Sequence, residues 1–170
     1  MGRIVRAVIY AVATVIALVV ALDVVLPWAL STDIPLAVVS SYSMEPTLHV
    51  GDLLIVVGVR GEDVRIGDVI VYRGRREPIV HRVIRVAVVN GKPRFLTKGD
   101  ANRYPDQDPG NPSTWVGEDR LVGKVVAVVP YLGAVSLSLS RSRELYYAVL
   151  LGLIALLAIS VLPHKGRVFK

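Results

Sequence analysis

A mainly β, antiparallel domain flanked by N- and C-terminal transmembrane helices is the architecture that this 170-residue sequence predicts. Three observations carry that prediction. Two long runs are free of charge, one near each end; five Val-rich stretches between them are bounded by Gly, Asp and Pro; and Asn90-Gly91 is the preferred pair for a two-residue hairpin turn. The chain is 53% hydrophobic, too apolar for an ordinary soluble domain.

From Ala7 to Leu22 no residue is charged, and apolar character resumes over Val24 to Leu30. That is long enough for a hydrocarbon core of roughly 30 Å. Asp23 lies near the outer end, where its carboxylate reaches the interface. A second uncharged run, Leu145 to Leu162, reaches roughly 27 Å as a helix and also spans. Arg3 and Arg6 precede the first run, and Lys165, Arg167 and Lys170 follow the second. The positive-inside rule therefore puts both termini in the cytoplasm and the middle of the chain on the extracytoplasmic side of the cell membrane. Arg141 and Arg143 weigh against this orientation, but the first helix usually decides. Three segments follow: 1–30, flank and first helix; 31–143, β domain; 144–170, second helix and basic tail.

The middle segment holds 15 Lys plus Arg against 12 Asp plus Glu, so half of the +6 excess belongs to the membrane flanks. No nucleic-acid face is indicated. Arg73, Arg75 and Arg76, with Gly74 among them, read as a solvated hairpin tip. There is no cysteine, and the three histidines are scattered without metal-ligand spacing, so neither metal nor other cofactor is expected.

The strands are placed in order at 52–59, 67–74, 78–89, 92–100 and 120–129, with an irregular loop from Ala101 to Glu118 carrying three prolines. In a type I′ turn at Asn90-Gly91, Val89 faces Lys92 and Pro93 faces Val88 at a non-hydrogen-bonded site, which suits a residue without an N–H. Carried back without a bulge, that register sets His81 opposite Asp100. A histidine beside a carboxylate is a general-base arrangement, although a strand histidine and a hairpin aspartate are each more often structural.

A candidate nucleophile lies upstream, in SSYSMEPTL (40–48). Pro46 pushes Glu45 out of the helical region, so Ser43 and Met44 fall at a strand-to-turn break that presents their side chains. A serine hydroxyl needs a base to become a nucleophile, and His81 supplies one. His49 lacks any orienting partner by sequence, His164 sits on the cytoplasmic flank, and Asp52 and Asp68 read as turn residues. Glu45 is assigned no proton transfer.

Four boxes in order, SYSMEPT (41–47), GDVIVY (67–72), IVHRVI (79–84) and TKGDANRYPD (97–106), resemble those of type I signal peptidases over nearly all of residues 36–130. Histidine at 81, where the bacterial enzymes carry lysine, makes the chain similar to the archaeal and endoplasmic-reticulum branch. The resemblance implies a membrane-bound serine endopeptidase of signal-peptidase β fold that removes signal peptides from exported preproteins near the export translocon. It further implies Ser43 as nucleophile, His81 as general base, Asp106 as triad acid, Asp100 as a supporting aspartate, and an oxyanion hole from the Ser41 hydroxyl and the Ser43 N–H. It implies an extended substrate pairing with a strand edge, small side chains in two shallow pockets. Tyr42 departs from the glycine common at its position. Only about a dozen residues separate Leu30 from Ser43, which keeps the site near the bilayer surface.

Two other readings compete. A self-cleaving repressor-type peptidase shares the β fold but uses lysine as base and carries a DNA-binding domain. A membrane-anchored, non-catalytic β module for binding or assembly would leave Ser43, His81 and Asp106 without a shared task.

Overall fold

The computed structural model describes residues 3–133. Helix α1, Arg3–Val20, continues through a wider π-type turn, Ala21–Val25, into a short α2, Leu26–Ala29. The first Gly or Pro after Arg3 is Pro27, in the first turn of α2, where a missing N–H is harmless. Val12–Ala29 is the one stretch among the described residues long and apolar enough to cross a membrane, and its Ile16, Leu18 and Trp28 are exposed. Asp23 stands, also exposed, in the π-type turn. The second span expected at Leu145–Leu162, and His164, lie outside the described residues.

The unit that begins at Leu26 holds every described strand. They are β1 Leu36–Val38, β2 Leu53–Val57, β3 Val69–Arg73, β4 Pro78–Val89, β5 Lys92–Lys98, β6 Val116–Gly117 and β7 Leu121–Val129. All pair antiparallel in one sheet of order β1-β2-β7-β3-β4-β5-β6. Five coincide with the Val-rich runs. Two, β1 and β6, are three and two residues long, too short to show a period in sequence.

Strand alternation divides the core between two faces of this sheet. One cluster gathers Val39, Met44, Leu48, Leu54, Val56, Val71 and Val122; the other gathers Val64, Ile70, Tyr72, Val83, Phe95 and Val116. Ile70, Val71 and Tyr72 are consecutive and all buried, so β3 is covered on both faces, as a central strand should be.

The β4–β5 hairpin turns as expected: Asn90 (φ 53°) and Gly91 (φ 75°) both take the left-handed backbone of a type I′ turn, and Val89 pairs with Lys92 and Val88 with Pro93. The register does not continue to His81. A bulge between Val83 and Arg85 adds one residue to β4, so the pairing resumes as Val83 with Thr97 and Arg82 with Lys98. The sequence-based pairing of His81 with Asp100 is corrected by that single extra residue, because a one-residue slip exchanges the faces of a strand.

Candidate active site

Ser43 sits in a single 3₁₀ turn, Tyr42–Met44, between extended Ser41 (φ −137°, ψ 165°) and extended Glu45 (φ −60°, ψ 145°). The extended Glu45 is what a following proline demands. Met44, 1% exposed, plugs the turn into the first core cluster and leaves its neighbour Ser43 half-buried at the surface. The methionine between serine and acid is therefore the anchor of the turn. Gly99 lets the other wall come close: a Cβ there would stand 2.5 Å from the Ser43 carbonyl oxygen and 2.9 Å from His81 Nε2. The Ala101 N–H donates to that same Ser43 carbonyl at 2.9 Å.

His81, 8% exposed, projects from β4. Its Nε2 lies 3.0 Å from Ser43 Oγ and its Nδ1 2.6 Å from Asp106 Oδ2. With Nδ1–H donating to the carboxylate, Nε2 is left to accept the serine proton. Ser41 Oγ is 3.2 Å from Ser43 Oγ.

Asp106 comes from the irregular loop, its side chain 16% exposed while the residue as a whole lies at the surface. Its Oδ2 also accepts from Thr97 Oγ1 at 2.6 Å and from Tyr72 Oη at 3.0 Å. Burial pushes the carboxyl pKa up, but donation from His81, Thr97 and Tyr72, with the attraction of the imidazole, outweighs it and holds the group below its ordinary value. Burial in turn pushes the Tyr72 phenol up, so it keeps its proton.

Asp100 belongs to a different pair. Its two oxygens accept from Arg82 Nε at 2.9 Å and Nη2 at 2.6 Å, and the Arg82 donation is the main reason that the carboxyl lies below its usual range. Arg82 also donates to the Gly67 carbonyl at 2.8 Å and reaches Thr47 Oγ1 at 3.4 Å, tying the serine loop to the sheet. The structure thus brings Ser41, Ser43, His81 and Asp106 together and puts Asp100 against the arginine that follows the histidine.

Other flagged residues have local partners. Glu45 Oε2 faces His49 Nε2 at 3.4 Å; Asp52 accepts from the His49 and Tyr131 N–H groups at 2.8 and 3.1 Å; Asp68 accepts from the Arg65 N–H at 2.8 Å and pairs with Lys124 at 2.8 Å. Tyr42 is exposed beside Ser43. Among the described residues no group of His, Cys, Asp and Glu is gathered for a metal. The expectation that Met44 is presented beside Ser43 is corrected, because its side chain is buried in the first core cluster, and sequence reasoning assigned no part to Tyr72, Arg82, Thr97 or Gly99. The available signal was their place in the quoted boxes: Tyr72 ends GDVIVY, Arg82 follows the histidine of IVHRVI, and Thr97 and Gly99 open TKGDANRYPD.

A cleft of about 290 Å³ opens at Ser43 between Val38–Ser41 and Pro78–His81. Both walls offer strand edges. β1 is the outermost strand, and β4 pairs with β3 over Pro78–Arg82 but with β5 only from Arg82 onward.

The signal peptidase family, peptidase S26, matches residues 6–91, a stretch that contains Ser43 and His81 and ends before Asp100 and Asp106. The chain belongs to this family. Among relatives, the human signal peptidase complex catalytic subunit SEC11C is 38% identical over 123 residues, 70% of this chain and 64% of its own length. The mouse protein of the same name gives the same figures. Signal peptidase complex catalytic subunit SEC11 of Metarhizium acridum is 36% identical over 135 residues, 77% of this chain and 78% of the relative. The chain spans a little under two thirds of the mammalian subunits it matches, 64%. Its kinship agrees with the branch suggested by histidine at 81.

Proposed function

We propose that this chain is a membrane-bound serine endopeptidase that removes N-terminal signal peptides from exported preproteins. The observation that carries the proposal is the continuous relay Ser43 Oγ, His81 Nε2, His81 Nδ1, Asp106 Oδ2, with steps of 3.0 and 2.6 Å across the ring. Three residues 25 and 38 positions apart from their partners meet in a serine–histidine–acid order at the mouth of a cleft. A passive binding module has no use for that order.

In the proposed reaction His81 Nε2 takes the Ser43 proton as Oγ attacks the scissile carbonyl carbon. The Ser43 backbone N–H and the Ser41 hydroxyl donate to the developing oxyanion. The intermediate collapses when His81 returns the proton to the leaving amine, which frees the mature chain and leaves the signal peptide as an ester on Ser43. A water activated by the same imidazole hydrolyses that ester. Asp106 holds the imidazole in the tautomer that accepts at Nε2. Asp100 acts more remotely, through Arg82, on the loop that carries the nucleophile.

The cleft favours an extended peptide. A substrate strand between Val38–Ser40 and Pro78–Val80 would find free backbone groups on both sides, and its alternate side chains would point into the cleft floor. The limited volume suits small side chains next to the cut.

The topology we infer places the segment 31–143 on the extracytoplasmic side, the N-terminal apolar helix in the lipid bilayer, and residues 144–170 returning to the cytoplasm. There the site would meet preproteins leaving the export translocon. A protease added from outside is expected to clip the loop around Asp106, and one added from inside only the basic termini. The opposite pattern overturns the orientation.

The direct test uses the full chain, purified in detergent, with a preprotein whose cleavage site carries small residues. Cleavage after a small residue, lost in Ser43→Ala with folding intact, is the expected result. Failure of the wild type to cut, or persistent cutting by Ser43→Ala, overturns the proposal.

A further inference from the structure

The triad acid sits on an irregular loop, where no helix or strand fixes its direction. Yet its Oδ2 is met by three donors from three consecutive strands: Tyr72 Oη from β3 at 3.0 Å, His81 Nδ1 from β4 at 2.6 Å and Thr97 Oγ1 from β5 at 2.6 Å. We propose that Thr97 and Tyr72 are positioning residues for the reaction, which hold the Asp106 carboxylate ionised and aimed at His81. The inference rests on the serine–histidine–aspartate reading above.

The burial of these hydroxyls supports it. Thr97 is 0% exposed and stands where valine would fill the same volume with no polar atom to satisfy. Its hydroxyl also lies 3.3 Å from Tyr72 Oη, so the two form one unit. The Thr97 main chain grips the same loop: its carbonyl accepts from the Asp106 N–H at 2.9 Å, and its N–H donates to Gln107 Oε1 at 3.0 Å. The raised phenol pKa keeps Tyr72 a donor over the whole working range.

The sign of the effect follows from charge. Each hydroxyl stabilises the Asp106 anion, and does so most when the neighbouring imidazole is neutral and offers no compensating charge. Removing one leaves the anion more dependent on imidazolium, so the coupled pair takes up its proton at higher pH. Arg75 and Arg120 line the same pocket wall as this carboxylate.

The test compares the full-length wild type with Thr97→Val, Tyr72→Phe and Thr97→Ser, reading kcat/KM for preprotein cleavage against pH and unfolding of each variant. Thr97→Val is expected to lose about tenfold at neutral pH and to move the acid limb of the profile up by roughly half to one unit, the scale of one hydrogen bond to a charge. Tyr72→Phe, with the longer bond, moves it less in the same direction. Thr97→Ser restores both rate and limb. An unmoved acid limb in Thr97→Val, whether or not the protein loses stability, overturns the inference and makes Thr97 a brace of the loop alone. A Ser43→Ala control separates the failures. If that variant still cuts, the triad reading falls; if it is dead while the limb stays put, only the role of Thr97 and Tyr72 falls.

Discussion

Two adjacent residues of β4, His81 and Arg82, each hold an aspartate from the segment that follows β5, and the two pairs have opposite characters. His81 and Asp106 meet at 2.6 Å, with two hydroxyls on the same carboxylate oxygen and Ser43 on the far nitrogen. Arg82 and Asp100 form a two-bond fork, and the arginine donates further to Gly67 and Thr47. Alternation along a strand sends the two side chains to different faces. The first pair can relay a proton because imidazole has a basic nitrogen left over. The second cannot, since a guanidinium stays charged and has no acceptor. Proximity of a base to a carboxylate thus decides little by itself; what counts is what the base has free on its other side.

The comparison is broken most severely by changing the base. His81→Lys is expected to be inactive, with no measurable preprotein cleavage, although lysine serves in the bacterial branch. The Asp106 anion favours the ammonium form, and a charged lysine cannot take the serine proton. An active His81→Lys protein would show that the environment, not the ring, was misread.

Next in size is the acid. Asp106→Asn should lower kcat by about four orders of magnitude, the cost of a lost tautomer control in a well-studied triad. Asp100→Asn should cost only about tenfold, one charge-assisted hydrogen bond's worth, because it loosens a clamp around Thr47 and Gly67 and leaves the relay itself intact. Turnover measured on folded protein decides it: a dead Asp100→Asn beside a working Asp106→Asn would reverse the assignment of the two pairs.

A smaller effect sharpens the structural side. Arg82 depresses the Asp100 carboxyl, so this pair adds stability that is fully present above the unfolded-state value of about 3.9 and is lost as pH falls through the lower folded-state value. Asp100→Asn should cost about 1–2 kcal/mol at neutral pH and flatten the acid side of the stability curve. Denaturant unfolding across pH 2–6 measures it, on the order of that loss; an unchanged slope in the variant would mean that the fork contributes nothing.

Much of this molecule could be read along the chain. The five longer strands, the type I′ turn at Asn90-Gly91, the apolar N-terminal helix and the break at Ser43 all rest on preferences that act within a few residues: apolar period, the φ of asparagine and glycine, the restriction that Pro46 places on Glu45. Neighbours in sequence encode them, so the sequence alone determined them. The tertiary structure decided the rest. The bulge between Val83 and Arg85 has no glycine to announce it, yet it takes Asp100 out of the position opposite His81. β1 and β6 exist only because a neighbouring strand receives them. Tyr72, His81 and Thr97 converge on one oxygen because three strands lie side by side, at separations of up to 34 residues from Asp106. Register is a property of the whole packed sheet, where one added residue exchanges the faces of everything beyond it, and no local preference carries that information.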